Sequence, residues 1–219
     1  MRRKTLGLVH TSATLVPVFQ QLCKEKLPGV EVFNLADDSL IKDVIRQGKL
    51  TPTTARRVVQ HIVSAEEAGA DYILVTCSSI GRAVETAAGL VKVPVLRVDQ
   101  PMADRAVQTG RRIGVIATLP TTLEPTADLI GRRAERAGKE IELNSRLCEG
   151  AFEALMSGDA ARHDAMVAGA LKELAARVDV IVLAQASMAR VVEGLAEVDR
   201  RVPILASPGL AIDYLRSVL

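Results

Sequence analysis

The stretch DYILVTCSSIGRAVE, residues 71–85, has a layout that returns as DVIVLAQASMARVVE at residues 179–193. In each copy an aspartate precedes a short apolar run, small and polar residues follow the run, and a helical pattern comes next. An apolar run bounded in this way is typical of a buried parallel strand that leads into a helix. The two copies differ at one chemically important place, where the first has Cys77 and the second has Gln185.

The similarity extends along the chain at a nearly constant offset. LGLVHTSATLVPVF resembles IGVIATLPTTLEPT with Gly7 against Gly114, EVFN resembles IELN, and VPVL resembles VPIL. These matches follow one another in the same order, at offsets of 107 to 110 residues. We therefore predict two similar α/β halves, residues 1–98 together with 208–219, and residues 99–207.

The alternation of short apolar runs with longer amphipathic segments predicts parallel sheets that carry helices on both faces. Ligands of such sheets bind outside the carboxyl ends of the strands. We therefore expect an α/β fold of two pseudo-symmetric, Rossmann-like halves with an active-site cleft between them. The predicted strands are 5–9, 30–34, 72–76, 94–98, 112–117, 140–144, 179–184 and 203–206. The predicted helices are 14–26, 51–68, 80–89, 101–109, 122–137, 160–176, 188–197 and 208–218.

Composition narrows the classes of function. The chain of 219 residues has a net charge of +2, which is too small a surplus to indicate nucleic-acid binding. Aromatic residues make up only 2% of it, so we expect no base-stacking surface. The apolar runs fall far short of the roughly 18 residues of a membrane span, and the basic start has no evident signal-peptide cleavage site. We expect a cytoplasmic protein without nucleic-acid or membrane partners.

Cysteine and histidine usage argues against a metal site or a disulfide framework. Cys23, Cys77 and Cys148 have no CxxC spacing, and the three histidines are scattered. Reduced thiols in a cytoplasm are therefore the expectation. Cys23 lies in an amphipathic helical pattern and Cys148 follows a predicted strand, and we interpret both as structural residues.

Cys77 is the candidate reactive residue. It closely follows the apolar run YILV and comes just before the helical pattern IGRAVETAAGL. Free amides and the dipole of a helix N-terminus stabilise a thiolate, so we predict that the pKa of Cys77 is lowered. The amides of Ser78 and Ser79 can also hold a carboxylate. This pattern favours proton transfer or nucleophilic attack, and the alternative is a small buried hydrophobic residue.

The two-half repeat, VTCSSIG after a first-half strand, and GVIATLPTT at the start of the second half together resemble the aspartate/glutamate/hydantoin racemase superfamily. The resemblance covers nearly the whole chain. It implies an isomerase that needs no metal, pyridoxal phosphate or nucleotide, and that acts on a small-molecule carboxylate. In that family two cysteines, one per half, exchange protons on opposite faces of the α-carbon. Dimers are common in the family, and the sequence leaves the oligomeric state open.

The resemblance assigns roles residue by residue. Cys77 matches the first-half cysteine, and Gln185 occupies the place of the second. The substrate contacts that it implies are in loops after the strands: His10, Thr11, Ser12, Ser78, Ser79, Thr118, Thr121, Ala186 and Ser187. Alternatives stay open, because Thr118 and Thr121 also suit caps of the next helix and His10 suits a structural hydrogen bond. Arg82 and Arg190 suit an anion contact or a solvated helix surface.

Gln185 leaves the reaction open, because an amide is neither an acid nor a base at neutral pH. The first hypothesis is a cofactor-independent racemase or epimerase that acts on a small carboxylate or an amino-acid derivative. The second is a single-cysteine decarboxylase, lyase or isomerase similar to arylmalonate decarboxylase, in which Gln185 donates a hydrogen bond to an enediolate oxygen. The third is a non-catalytic binder of small molecules. The sequence does not identify the substrate.

Overall fold

The computed structural model describes residues 2–219, so Met1, the first residue of the predicted first half, lies outside the described residues. The chain divides into two compact units, Met1–Gln100 with Pro208–Leu219, and Pro101–Ser207. The strands are β1 (Thr5–His10), β2 (Glu31–Ala36), β3 (Tyr72–Val75), β4 (Val95–Arg97), β5 (Arg112–Ala117), β6 (Glu142–Leu147), β7 (Val180–Leu183) and β8 (Ile204–Ala206). The helices are α1 (Val16–Lys26), α2 (Asp38–Gln47), α3 (Pro52–Glu67), α4 (Gly81–Ala88), α5 (Gln100–Thr109), α6 (Pro120–Arg136), α7 (Ala151–Met156), α8 (Ala160–Ala175), α9 (Ala189–Glu193) and α10 (Ser207–Val218).

The two units contain four-stranded parallel sheets with the same strand order. The order is β2-β1-β3-β4 in the first unit and β6-β5-β7-β8 in the second, which confirms the predicted α/β class with two similar halves. Because the strands of a sheet are parallel, their carboxyl ends meet at one edge, where ligands of open α/β sheets bind. Candidate binding and catalytic residues are therefore expected among those that directly follow the strands. No helix of the described chain is both long enough and apolar enough to cross a membrane.

Each unit includes one helix that follows the last strand of the other unit in the chain. From Pro101 onward, α5 belongs to the second unit although it follows β4. There Lys139 Nζ, just beyond α6, donates to the Val107 carbonyl oxygen of α5 at 3.0 Å. From Pro208 onward, α10 belongs to the first unit although it follows β8. The buried side chains of α10 pack against the sheet and α1 in one apolar cluster. The members of this cluster include Leu6, Leu8, Phe19, Cys23, Leu74, Ala211, Ile212 and Leu215.

Two matched glycines allow a close approach to the central strands. A Cβ atom on Gly114 of β5 would lie 2.6 Å from Leu174 Cδ2 of α8, which is closer than packed carbon atoms come. The space beside Gly7 of β1 is less tight, since an added Cβ would lie 3.0 Å from Phe33 Cζ and 3.2 Å from Ala70 Cβ. The glycine that recurs in LGLV and IGVI is therefore a packing requirement of the repeat.

Two helices, α2 and α7, are absent from the predicted set. The aspartate side chain of Asp37 accepts a hydrogen bond from the Ser39 N–H at 3.0 Å and caps the start of α2. The helix ends at Gly48, which has the left-handed φ of 65°. These caps bound a helix of ten residues with apolar Leu40, Ile41, Val44 and Ile45 at helical spacing, a pattern in the sequence that the predicted helices omit. The predicted helix 188–197 is also shorter, because α9 is followed by Gly194 and ends at Glu193.

We expect Gly114→Ala to lower the free energy of unfolding by about 1–3 kcal/mol, because the added methyl group overpacks the contact with Leu174. Urea denaturation of the whole chain measures the change. Gly131→Ala is the matched control, since a Cβ at this position of α6 meets nothing within 4 Å. Alanine is the better helix former, so the control should be unchanged or more stable by up to about 1 kcal/mol. Equal effects of the two substitutions would contradict the packing argument.

Candidate functional site

Cys77 and Gln185 occupy equivalent positions in the two units. Cys77 has φ −133° and ψ 122°, and it immediately precedes the short 3₁₀ helix Ser78–Ile80. Gln185 has φ −129° and ψ 136°, and it immediately precedes the short 3₁₀ helix Ala186–Met188. An α-helix follows each of these turns. Gln185 is thus the structural counterpart of Cys77, as the aligned repeat predicts.

One backbone hydrogen bond recurs just before both positions. The Thr76 N–H donates to the Val9 carbonyl oxygen at 3.0 Å, and the Ala184 N–H donates to the Ile116 carbonyl oxygen at 3.0 Å. Each bond continues the parallel ladder one residue beyond β3 or β7. The next side chain in each unit is therefore held beside the loop that follows the neighbouring central strand.

Cys77 is half-buried as a residue, and its thiol has neutral protein groups around it. Burial is the largest influence on it and raises its pKa above the ordinary value. Hydrogen bonding by the Thr11 and Ser79 hydroxyls and by the Ser79 and Ile80 amides lowers the pKa, but only in part. The predicted net lowering is therefore wrong. A single turn of 3₁₀ helix offers little dipole, and removing water from a thiolate outweighs it. Cys77 is a protonated thiol at neutral pH.

The loop after β1 is anchored to a helix that the sequence did not predict. Thr11 is buried and lies beside the Cys77 thiol. Ser12 Oγ lies 2.8 Å from Thr14 Oγ1. The Ala13 N–H donates to Asp38 Oδ1 at 2.7 Å, at the start of α2. The position of Thr11 thus depends on α2 as well as on β1.

His10 has a structural arrangement. Its side chain is fully buried, with Nδ1 2.8 Å from Thr76 Oγ1 and Nε2 2.9 Å from Asn34 Oδ1. Burial lowers the pKa of His10 and outweighs the opposite effect of Asn34, so the ring is neutral at pH 7. Both ring nitrogens have protein partners. This favours the structural alternative for His10, which links β1 to β2 and to the end of β3.

Gln185 is oriented by Thr118. Its Oε1 accepts hydrogen bonds from the Thr118 N–H at 2.6 Å and from the Thr118 hydroxyl at 3.0 Å. Because a backbone N–H can only donate, the atom facing it must be the carbonyl oxygen of the glutamine side chain. The Nε2 group has no partner among the described residues, and it keeps two N–H donors that a ligand can accept.

Thr118 and Thr121 do not cap the helix that follows. That helix, α6, has Leu119 at its N-cap position and no side-chain capping hydrogen bond. Thr118 is buried and engaged with Gln185. Thr121 Oγ1 is buried without a hydrogen-bond partner in the described part of the chain. A buried hydroxyl without a partner costs about 1–3 kcal/mol, so Thr121 is suited to a polar ligand or a water molecule.

The small residues beside Cys77 and Gln185 differ in exposure. Ser78 and Ser79 are both buried, at 5% relative exposure. Ala186 is half-buried, and Ser187 is exposed to solvent. Cys77 and Gln185 themselves are both half-buried. The two turns therefore differ in the residues that follow: buried serines after the thiol, and more exposed small residues after the amide.

Sequence reasoning missed a polar cluster around a buried histidine in the second unit. His163 of α8 is fully buried, and its Nδ1 lies 2.7 Å from Asp164 Oδ1. Its Nε2 is buried without a partner among the described residues. Arg190 of α9 donates to the same Asp164 oxygen at 2.8 Å, so it ties α9 to α8. The adjacent histidine and aspartate are visible in the sequence, but the burial of His163 is not. Within the described residues, no group of three or more His, Cys, Asp or Glu side chains is placed to hold a metal ion.

Comparison with known proteins agrees with this architecture. The sequence matches the model of the Asp/Glu/hydantoin racemase family over residues 6–215. No curated protein matches it significantly.

Solved structures with the same fold are racemases of low sequence identity. Glutamate racemase from Bacillus anthracis is 16% identical with a TM-score of 0.73, and the match covers 100% of this chain and 82% of that one. Aspartate racemase from Picrophilus torridus is 13% identical with a TM-score of 0.73, covering 98% and 94%. Allantoin racemase from Klebsiella pneumoniae is 18% identical with a TM-score of 0.68, covering 98% and 87%. At these identities the likeness establishes the fold.

We expect the alkylation of Cys77 by iodoacetamide to show a midpoint above pH about 8.5, the ordinary value for a cysteine. Burial disfavours the thiolate, so the reactive form appears only at higher pH. Mass spectrometry of the peptide that contains Cys77 measures the rate at each pH. Cys23 is an internal reference, because burial raises its pKa to about 11. A Cys77 midpoint below pH 8 would show that the local amides outweigh burial.

Proposed function

Because the chain belongs to the Asp/Glu/hydantoin racemase family, whose model it matches over residues 6–215, we propose that it is a cofactor-independent racemase or epimerase. Family membership supports an isomerase of the racemase type. The proposed substrate is a small carboxylate or an amino-acid derivative with an acidic α-carbon. Cys77 is the proposed acid–base residue.

The observation that carries this proposal is the environment of Cys77. The thiol follows the carboxyl end of a central strand, where ligands of open α/β sheets bind. The hydroxyl of Thr11 and the amides of Ser79 and Ile80 interact with it. These neutral donors suit a substrate carboxylate without adding a fixed charge that would trap the thiolate.

In the proposed racemisation, Cys77 is the group that removes the proton from the α-carbon. Because Cys77 rests as a protonated thiol, it first loses its proton to water as the substrate binds. The thiolate then takes the α-proton, and the electron pair of the C–H bond moves into the carboxyl group as an enediolate. Return of the proton from sulfur regenerates the starting configuration, whereas delivery to the opposite face inverts it. Gln185 cannot deliver that proton, so water or the exposed hydroxyl of Ser187 is the candidate donor on the opposite face.

Gln185 is the proposed stabiliser of the enediolate. Its carbonyl oxygen is held by Thr118, which leaves its Nε2 donors for a substrate oxygen. Preorganised donors of this kind stabilise negative charge that develops in the transition state. Thr121, with its unpartnered hydroxyl, is the proposed second polar contact in this unit.

The protonation state of Cys77 and the amide at position 185 also favour a second candidate reaction. A protonated Cys77 is ready to donate a proton, and the counterpart position holds an amide rather than a thiol. In a single-cysteine decarboxylase, carbon dioxide leaves a malonate-like substrate and the C–C bond electrons form the enediolate. The Cys77 S–H then protonates that carbon, and the thiolate recovers its proton from water. Gln185 has the same role as in the racemase.

We expect Cys77→Ala to reduce turnover by at least about 100-fold, because a positioned acid–base residue contributes that much or more. The assay is proton NMR in D₂O with amino acids, hydantoins, 2-hydroxy acids and substituted malonates. Cys148→Ala, which changes a buried thiol of the other unit, should keep the activity. Circular dichroism and urea unfolding establish that both variants are folded. Full turnover by a folded Cys77→Ala variant would overturn the mechanism.

The products in the same NMR assay distinguish the candidates. Deuterium at the α-carbon with inversion and without loss of carbon supports the racemase. Deuterium that appears only with release of carbon dioxide supports the single-cysteine decarboxylase. Binding of a compound without exchange or decarboxylation would instead support the non-catalytic binder.

We expect Gln185→Cys to create or raise racemisation, because it places a second proton-exchanging group at the counterpart position. Gln185→Ser is the matched control, since it adds a hydroxyl that lacks the acidity of a thiol. Chiral chromatography of substrate incubated with each variant measures inversion. Equal inversion rates for the two variants would show that position 185 does not reach the α-carbon.

A further inference from the structure

A buried ion pair lies close to the Cys77 turn in the first unit. Arg97, the last residue of β4, is 3% exposed and Asp99 is 0% exposed. The arginine binds the aspartate with two hydrogen bonds, Nε to Oδ1 at 3.0 Å and Nη2 to Oδ2 at 2.8 Å. Its remaining terminal nitrogen, Nη1, donates to Glu85 Oε1 of α4 at 2.5 Å. The guanidinium is therefore fixed to both β4 and α4.

The same guanidinium lies against the first residue of α4. A Cβ atom on Gly81 would come within 2.1 Å of Arg97 Cζ, 2.3 Å of Nη2 and 2.5 Å of Nε. No side chain fits in that space. Gly81 directly follows the 3₁₀ turn Ser78–Ile80, whose amides act on the Cys77 thiol. The arginine thus contacts the helix start that holds this turn in place.

The second unit folds without this arrangement. In strand pairing, Arg97 lies opposite Val75, the last residue of β3. The equivalent residue of the second unit, opposite Leu183 at the end of β7, is Ala206. Gly81 begins α4, and Ala189 begins α9. The common architecture therefore requires neither the guanidinium nor the glycine. Both occur in the unit whose turn carries a thiol.

A buried ion pair is also a weak source of stability. Removing water from two charges offsets much of their attraction, and well-packed apolar residues often serve equally well. Burial by itself lowers the pKa of Arg97, but the carboxylates of Asp99 and Glu85 outweigh that effect and raise it. With two carboxylates bound to it, the guanidinium leaves no excess positive charge for a substrate anion.

We propose that Arg97 is a positioning residue for Cys77: its guanidinium, held by Asp99, packs on Gly81 and fixes the start of α4 and the turn that shelters the thiol. The proposal rests on the proposed function only in treating Cys77 as the reacting group. The contact acts through the backbone from Gly81 back to Ser78. Loss of the contact frees the turn, admits water to the thiol and removes the main cause of its high pKa.

The double variant Arg97→Met/Asp99→Val tests this without leaving a buried charge unpaired. We expect the Cys77 alkylation midpoint to fall toward the ordinary value of about 8.5. The thiolate fraction at pH 7.5 should rise about tenfold for each pH unit by which the midpoint falls. The iodoacetamide rate should rise by a smaller factor of about 3 per unit, because a thiolate of lower pKa is less nucleophilic. Near-UV circular dichroism and urea unfolding establish that the variant is folded. An unchanged alkylation profile in the folded variant would overturn the proposal.

Gly81→Ala tests the contact itself. In the parent chain the new methyl group displaces the guanidinium, so we expect the same direction of change in the alkylation profile. In the Arg97→Met/Asp99→Val background the arginine is gone, so the added effect of Gly81→Ala should be much smaller. This non-additivity is the signature of a direct contact. Equal effects in both backgrounds would overturn it.

Arg2→Met is the matched control for losing an arginine–aspartate pair. Arg2 pairs with Asp71 just before β3, at the amino end of the same sheet. Its loss should leave Cys77 alkylation unchanged, and an equal shift would mean that the profile reports general loosening of the unit. Alkylation needs no substrate, so this test is separate from that of the proposed function. If Cys77→Ala stays active while the alkylation coupling holds, only the proposed function fails.

Discussion

The parallel pairing of the central strands is the constraint on which the site depends. In each unit the ladder between the first and third strands continues for one more hydrogen bond, from Thr76 to Val9 and from Ala184 to Ile116, both at 3.0 Å. Because of that bond, the next residue, Cys77 or Gln185, lies at the edge of the sheet where the strands end. Because the ladder is the same in both units, the repeat supplies two equivalent chemical positions. What each position does is then set by the side chains around it.

The repeats have diverged in what surrounds these positions. His10 and Thr76 form a buried polar contact in the first unit, where the aligned residues of the second unit are alanines. The guanidinium of Arg97 is likewise matched by Ala206 in strand pairing. The first unit thus combines a thiol with a rigid, polar support. The second unit uses Thr118 to hold an amide whose donors remain available. The two equivalent positions therefore differ in chemistry, with a thiol in one unit and an amide in the other.

Desolvation decides the resting state of the thiol. Nearby amides and hydroxyls favour the thiolate, yet burial outweighs them and raises the pKa of Cys77. A protonated thiol protects the residue from adventitious oxidation, since the thiolate is the reactive form. It also means that proton abstraction needs a substrate whose binding changes this balance, whereas proton donation does not. Under the proposed function, the solvation of this one sulfur atom in the substrate complex would thus separate a proton-abstracting role from a proton-donating one.

The sequence by itself determined the two-fold repeat, the eight strands, the α/β class and the correspondence of Cys77 with Gln185. These follow from local apolar runs, matched glycines and constant spacing, which are properties of neighbouring residues. The capped helix α2 was also encoded locally, by Asp37, Gly48 and apolar residues at helical spacing, although the predicted helices omit it. Only the tertiary structure decided the direction of the Cys77 pKa shift, the orientation of the Gln185 amide and the contact of Arg97 with Gly81. Each of these depends on burial or on side chains distant in sequence, and such distances are set only when the sheets and helices pack.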